Sequence, residues 1–128
     1  MYTGTPEMDN EQFLGKKPNK AGAEFSMHQD LSYWPKTKNT WTATFSLGIN
    51  DANIDNGCLQ VVPGSNKEEA LRNHFHKQYN NDEVAKDTSR DESHTLVIEM
   101  KETDEILFLP VTRGSITIHD ERIVHGSG

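Results

Sequence analysis

The chain contains a single cysteine, Cys58, among its 128 residues. One cysteine cannot form an internal disulfide, so the sequence lacks the covalent framework of small secreted domains. A reducing compartment fits this absence, and we expect the protein to be cytoplasmic. Cys58 itself is expected to be a small buried hydrophobic residue in a strand rather than a nucleophile.

Long hydrophobic runs are also absent, and positive charge is scarce. No stretch approaches the roughly 20 apolar residues of a membrane span, and nothing near the start resembles a secretory signal. Thirteen Lys and Arg face 20 Asp and Glu, which gives a formal net charge of -7 at pH 7. A phosphate backbone or an anionic membrane surface would repel such a chain. We therefore expect neither nucleic acid nor membrane as a partner; the composition indicates no oligomeric state.

The length is that of one ordinary domain, and we predict a single domain over residues 1–128. Residues 1–23 are rich in Gly, Pro and Lys and predict a loop-like lead-in. Residues 77–93 are almost wholly polar and predict a solvated insertion. No internal repeat divides the chain.

Short runs rich in β-branched and aromatic residues predict a mainly β fold. The clearest run, TWTATFSLGI, alternates large apolar with small residues, and the turn-rich segment after it ends at Asn56-Gly57 and predicts a hairpin with a long loop. Ser65 and Glu68 have the spacing of a capping box, which predicts one short helix from Asn66 to Phe75. We expect an antiparallel double-sheet barrel or sandwich. The predicted strands are 24–31, 40–49, 58–62, 94–100, 105–111 and 115–119, with a continuation at 123–125.

The segment FSMHQDLSYW places His28 and Asp30 two residues apart, on one face of a predicted strand. Such a pair is either a hydrogen-bonded structural couple or two of three ligands to a metal ion. His125 near the end of the chain supplies a third ligand, and the adjacent Gly126 would let the backbone approach a ligand closely. Two imidazoles and one carboxylate on one side of a metal form the facial triad of non-haem Fe(II) oxygenases.

Four other histidines are given less weight. His119 is expected to hydrogen-bond to a turn, with a place beside the pocket as the alternative. The other three flank the polar insertion and are expected to be exposed: His74, His76 and His94. Tyr33 and Trp34 are expected either to border a substrate entrance or to pack.

Three motifs, HQDLSYWP, NGCLQVVPGS and GSITIHDERIVHGSG, resemble the phytanoyl-CoA dioxygenase family of Fe(II)- and 2-oxoglutarate-dependent oxygenases. The resemblance covers about residues 24–128 and implies a double-stranded β-helix, or jelly roll. It implies that His28, Asp30 and His125 are the catalytic iron ligands, and that the Ser127 hydroxyl helps to hold the distal carboxylate of 2-oxoglutarate. With O2 as the oxidant, the implied reaction hydroxylates a C–H of a small organic or lipid-like substrate and yields succinate and CO2.

The family arginine that pairs with the distal carboxylate lies shortly after the H-G-S-G motif, and this sequence ends at Gly128. The resemblance therefore implies a fragment whose jelly roll is incomplete at the C-terminus. Arg113 and Arg122 precede the motif and are not expected to take that role. Two other functions stay open: a non-catalytic, cupin-like metal-binding module, and a metal-dependent isomerase or hydrolase.

Overall fold

A computed structural model describes residues 5, 7–8, 11–16, 24–34, 41–76 and 96–128. The described part of the lead-in contains no helix or strand. The predicted polar insertion at 77–93 and His94 lie outside the described residues, as does the rest of the lead-in.

The described residues form eight β-strands and two short 3-10 helices. This confirms the predicted mainly β class, and every strand pairing is antiparallel. None of the helices in this part of the chain is long and apolar enough to cross a membrane. The strands are β1 Phe25–His28, β2 Ala43–Leu47, β3 Leu59–Val61, β4 His74–His76, β5 Leu96–Ile98, β6 Leu107–Leu109, β7 Ile116–Asp120 and β8 His125–Ser127. The 3-10 helices are Asp30–Ser32 and Ser65–Lys67.

The strands form one larger sheet, in the order β1-β8-β3-β6, and two pairs, β2-β7 and β4-β5. The predicted hairpin between the second and third strands is wrong, because β2 pairs with β7 and β3 pairs with β6 and β8. The segment between β2 and β3 instead forms a local turn, in which the backbone N–H of Asn53 and that of Asn56 each donate to the side-chain oxygen of the other residue, at 2.6 and 3.0 Å. Gly57, at φ 86°, then redirects the chain into the other sheet.

The helix predicted from Asn66 to Phe75 is confined to the single turn Ser65–Lys67, and the chain soon extends into β4. The Ser65 hydroxyl does not cap this turn. It donates to the carbonyl oxygen of Val62 and accepts from the N–H of Val124, each at 2.8 Å. Both contacts are buried. The Ser65 hydroxyl therefore joins the end of β3 to the start of β8 and does not cap a longer helix.

The hydrophobic core of the described residues is small. Val62, Ile98 and Val124 form its buried cluster, with Met27 and Met100 packed against it. Cys58 is also buried, as predicted, although it lies just before β3 and not within a strand. Val124 of this cluster immediately precedes His125, the first residue of β8.

The paired strands β2 and β7 turn their large apolar side chains outward. Phe45 is 68% exposed and Ile118 is 61% exposed. The opposite face carries Thr44 and His119, which stand opposite each other in the ladder and both contact Asp30. The alternation predicted for this strand therefore serves to present polar groups toward a buried carboxylate.

Candidate metal centre

His28, Asp30 and His125 lie together where β1 meets β8. His28 ends β1, His125 begins β8, and the two residues are paired across the ladder. Asp30 is not in the strand predicted for residues 24–31 but begins the 3-10 helix that follows β1. The backbone turn brings its carboxylate back toward both imidazoles.

The distances between the three side chains are short. Asp30 Oδ1 lies 3.3 Å from His28 Nε2 and 3.4 Å from His125 Nε2. One ligand atom from each residue lies within 4.8 Å of the other two. The two imidazole side chains are almost completely buried, and that of Asp30 is 15% exposed. The group is thus largely shielded from bulk water.

Both imidazoles use Nδ1 for a local hydrogen bond. His28 Nδ1 donates to the Ser26 carbonyl oxygen at 2.7 Å, and His125 Nδ1 donates to that of Ile123 at 3.1 Å. A carbonyl oxygen only accepts, so these bonds assign the proton to Nδ1 and, in the neutral ring, leave a lone pair on Nε2. Burial, together with the neighbouring His28, lowers the pKa of His125 to about 4. His125 is therefore neutral at pH 7.

Asp30 is held ionised by its neighbours. Burial alone would raise the pKa of this carboxyl, but hydrogen bonds from His119 and Thr44 and the proximity of His28 and His125 outweigh burial and hold the pKa well below its usual range. Thr44 Oγ1 donates to Oδ2 at 2.6 Å, and His119 Nε2 lies 3.2 Å from the same oxygen. Oδ2 is thus occupied, and Oδ1 is the oxygen that faces the two imidazoles.

This donor set fits a divalent metal ion. Two Nε2 lone pairs and one carboxylate oxygen face one another, and in the neutral imidazoles no proton lies between them. Such a convergence of acceptors is stabilised by a cation, and two imidazoles with one carboxylate match the ligand set of non-haem Fe(II). The assignment of these three residues as iron ligands stays a prediction.

Two histidines have partners that the sequence did not indicate. The expectation that His119 bonds to a turn is wrong, and its alternative, a place beside the pocket, agrees with the structure, because its partner is Asp30, 89 residues away. Its ring centroid also lies 4.2 Å from that of His125. His74 was expected to be exposed, but it is half-buried and its Nε2 accepts from the N–H of Gln29 at 3.1 Å. No local sequence signal points to either contact, since both partners are distant in sequence.

Gly126 and Ser127 follow His125 along β8. A Cβ on Gly126 would lie 2.7 Å from the carbonyl oxygen of Phe25, so the glycine permits a close approach of β1 rather than of a ligand. Ser127 is half-buried and lies two residues beyond His125, on the same face of the strand. Its role toward 2-oxoglutarate stays a prediction.

Arg122 is committed elsewhere in the fold, as the sequence reasoning expected. Its guanidinium donates to the Glu68 carbonyl oxygen at 2.8 Å and to that of Glu69 at 3.3 Å. Arg113 is exposed in the turn before β7. Tyr33 packs edge-on against His28, with ring centroids 5.5 Å apart, so its ring supports that imidazole.

The antiparallel β fold and the His-Asp-His group together define a cupin-like β protein with a group of side chains suited to a metal ion. The chain belongs to the phytanoyl-CoA dioxygenase family: the family model for phytanoyl-CoA dioxygenase (PhyH) matches residues 5–128. This confirms the resemblance drawn from the three sequence motifs.

Two curated relatives agree with this assignment. The chain is 27% identical over 121 residues to a probable alpha-ketoglutarate-dependent hypophosphite dioxygenase of Stutzerimonas stutzeri, an alignment that covers 94% of this chain and 39% of the relative. It is 32% identical over 97 residues to a phytanoyl-CoA dioxygenase domain-containing protein 1 homolog of Dictyostelium discoideum, covering 71% of this chain and 34% of the relative. The chain therefore spans little more than a third of the length of either relative.

Proposed function

We propose that the protein is a non-haem Fe(II)- and 2-oxoglutarate-dependent dioxygenase that hydroxylates a C–H of a small organic or lipid-like substrate. The observation that carries the proposal is the convergence of His28, Asp30 and His125, whose ligand atoms lie within 4.8 Å of one another. Membership of the phytanoyl-CoA dioxygenase family supports the same chemistry. The relative named for hypophosphite oxidation illustrates that the family name does not choose the substrate.

The balanced reaction consumes 2-oxoglutarate, O2 and a substrate R–H, and forms succinate, CO2 and R–OH. One oxygen atom enters succinate and the other enters the product. Bound Fe(II) would supply the redox chemistry that couples these two oxidations. The protein contributes a largely buried site with three ligands on one side of the metal, which leaves positions for the co-substrate and O2.

The neighbouring side chains have supporting parts in this proposal. Thr44 and His119 occupy Asp30 Oδ2, at 2.6 and 3.2 Å, so the carboxylate offers only Oδ1 to the metal. Hydrogen bonds of this kind orient a ligating carboxylate and raise metal affinity. Ser127, on the same face of β8 as His125, would place its hydroxyl against the distal carboxylate of 2-oxoglutarate.

The composition supports a cellular location and a class of substrate. A lone cysteine and a net charge of -7 favour a reducing, cytoplasmic location and a small-molecule substrate over nucleic acid.

Succinate formation from 2-oxoglutarate, with Fe(II) and O2, tests the function. The assay uses the full-length protein and is run without added substrate and with a panel of small organic and lipid-like compounds. The unaltered protein and His76→Ala, a histidine variant remote from the triad in sequence, are expected to form succinate at equal rates. His28→Ala and Asp30→Ala are expected to form almost none.

Undiminished succinate in both triad variants would refute the assignment of the ligands. Iron binding without any conversion of 2-oxoglutarate would favour the cupin-like binding module. Conversion of a panel compound that needs the metal but neither O2 nor 2-oxoglutarate would favour an isomerase or hydrolase.

A further inference from the structure

Gln29 separates the two proposed ligands His28 and Asp30 in the chain. Its side chain is completely buried, with 0% exposure. A buried carboxamide is stable only when its donors and acceptors are paired. The backbone of Gln29 is extended, and its side chain makes no capping bond to the 3-10 helix that follows. The partners of this amide therefore lie in other parts of the fold.

The two ends of the amide bond to two different segments. Oε1 accepts from the N–H of Arg72 at 2.9 Å, and Nε2 donates to the carbonyl oxygen of Arg122 at 2.5 Å. These partners fix the orientation of the amide, because Arg72 offers a donor and Arg122 offers an acceptor. Residues 43 and 93 positions away along the chain are thus joined through one side chain.

The main chain of Gln29 is fixed as firmly as its side chain. The N–H donates to His74 Nε2 at 3.1 Å, and the carbonyl oxygen accepts from the N–H and hydroxyl of Ser32 at 3.0 and 2.6 Å. His74 Nδ1 in turn donates to the Arg72 carbonyl oxygen at 2.8 Å, which makes Nε2 the acceptor. Residues 72–74 therefore bond to both the backbone and the side chain of Gln29.

The Arg122 end of this network leads to the third proposed ligand. Arg122 lies in the bend between β7 and β8, three residues before His125. The intervening Val124 is bonded on both sides, to Ser65 and to Val62. Because only two residues separate Arg122 from His125, we expect a shift of the bend to move His125 relative to His28 and Asp30.

We propose that Gln29 is a positioning residue, which holds the bend before His125 at a fixed distance from the His28–Asp30 segment. This role rests on the proposed function of the triad. Gln29 does not face the metal, because alternation along the extended chain directs its side chain away from His28 and Asp30. Metal sites tolerate little displacement of their ligands, so a side chain of this kind affects affinity and ligand geometry without contact.

Two variants and one control test the role by Co(II) binding under anaerobic conditions. Gln29→Met keeps the length of the side chain and loses both amide bonds. Gln29→Glu keeps the acceptor for Arg72 and places a second oxygen against the Arg122 carbonyl oxygen. Gln60→Met makes the same substitution on β3, at a glutamine with neither of these contacts.

The readouts are the Co(II) dissociation constant and the visible Co(II) absorption spectrum, measured on protein that circular dichroism shows to be folded. Gln29→Met is expected to raise the dissociation constant about tenfold or more, the range typical of lost supporting bonds at metal sites. Gln29→Glu is expected to shift it in the same direction. Both variants should alter the spectrum, and Gln60→Met should leave both readouts unchanged.

Folded Gln29 variants with the dissociation constant and spectrum of the unaltered protein would overturn the proposal. If Gln29→Met does not fold, Gln29→Glu decides by the same two readouts. If neither folds, His74→Leu decides, since at a half-buried position it removes the acceptor of the Gln29 N–H together with the donor to the Arg72 carbonyl oxygen. An unchanged spectrum in that variant would overturn the role. An unaltered protein that binds no Co(II) would instead overturn the proposed metal site itself.

Discussion

Replacing Thr44 with Val tests how the protein controls its proposed carboxylate ligand. The two side chains have nearly the same shape, so Thr44→Val removes the hydroxyl with little change in packing. The lost bond, from Thr44 Oγ1 to Asp30 Oδ2, is 2.6 Å long and charge-assisted. Bonds of this type contribute about 1.5–3 kcal/mol. His119 remains on the same oxygen at 3.2 Å, so only part of the orienting effect is lost.

The expected result is a rise of about tenfold in the Co(II) dissociation constant, which corresponds to about 1.4 kcal/mol. The reason is that the Asp30 carboxylate, held through Oδ2 by His119 alone, is less firmly oriented with Oδ1 toward the metal. The dissociation constant is measured by anaerobic titration at pH 7, beside a urea unfolding curve for each protein. Thr117→Val is the matched control, because it removes a hydroxyl from the same face of the paired strand β7.

Equal Co(II) affinity in Thr44→Val and the unaltered protein would refute this reasoning, provided that Asp30→Ala loses binding. Tighter binding would refute it in a different way. It would mean that the hydrogen bond from Thr44 lowers metal affinity, by reducing the electron density that Asp30 offers to the metal, more than it raises affinity by orienting the carboxylate.

Three further predictions concern stability, each read from urea or thermal unfolding. Gly126→Ala should destabilise the protein by about 1–3 kcal/mol, because its Cβ would lie 2.7 Å from a carbonyl oxygen of β1; an unchanged midpoint would contradict the close packing of β1 on β8. Ser65→Ala should cost about 1–3 kcal/mol, since it leaves the buried N–H of Val124 unpaired; Ser65→Thr, which keeps the hydroxyl, should cost less. Arg72 bonds to Asp104 at 2.6 and 2.8 Å and holds the pKa of that carboxyl below its ordinary value of 3.8. The stability from this pair is therefore complete above about pH 4 and is lost as the pH falls through the lowered pKa, and Asp104→Asn should flatten that part of the stability profile.

The triad was predictable because its signals are local or belong to a recognisable motif. His28 and Asp30 are two residues apart. Alternation along a strand would place their side chains on one face, and the observed turn from β1 into the 3-10 helix also brings the two side chains together. His125 lies in a short motif beside a glycine. Gly126 was predicted to let the backbone approach a ligand, but the close approach that it permits is that of β1.

Pairings between distant segments were not predictable from local patterns. The capping-box spacing after Pro63 predicted a helix, but Ser65 uses its hydroxyl to join Val62 and Val124, and the latter lies 59 residues away. The pairing of β2 with β7, rather than with β3, likewise depends on the register of strands separated by most of the chain. His119 and Gln29 acquire their partners only through these long-range pairings, so neither could be placed from its own surroundings.

The most direct test of the central claim is the amount of Fe(II) bound per chain, measured by anaerobic equilibrium dialysis. If Asp30 and His125 are metal ligands, we expect about one Fe(II) per chain for the unaltered protein and for His76→Ala, and almost none for Asp30→Ala and His125→Ala. Circular dichroism on the same samples establishes that the variants are folded. Folded Asp30→Ala and His125→Ala that bind as much Fe(II) as the unaltered protein would contradict the account.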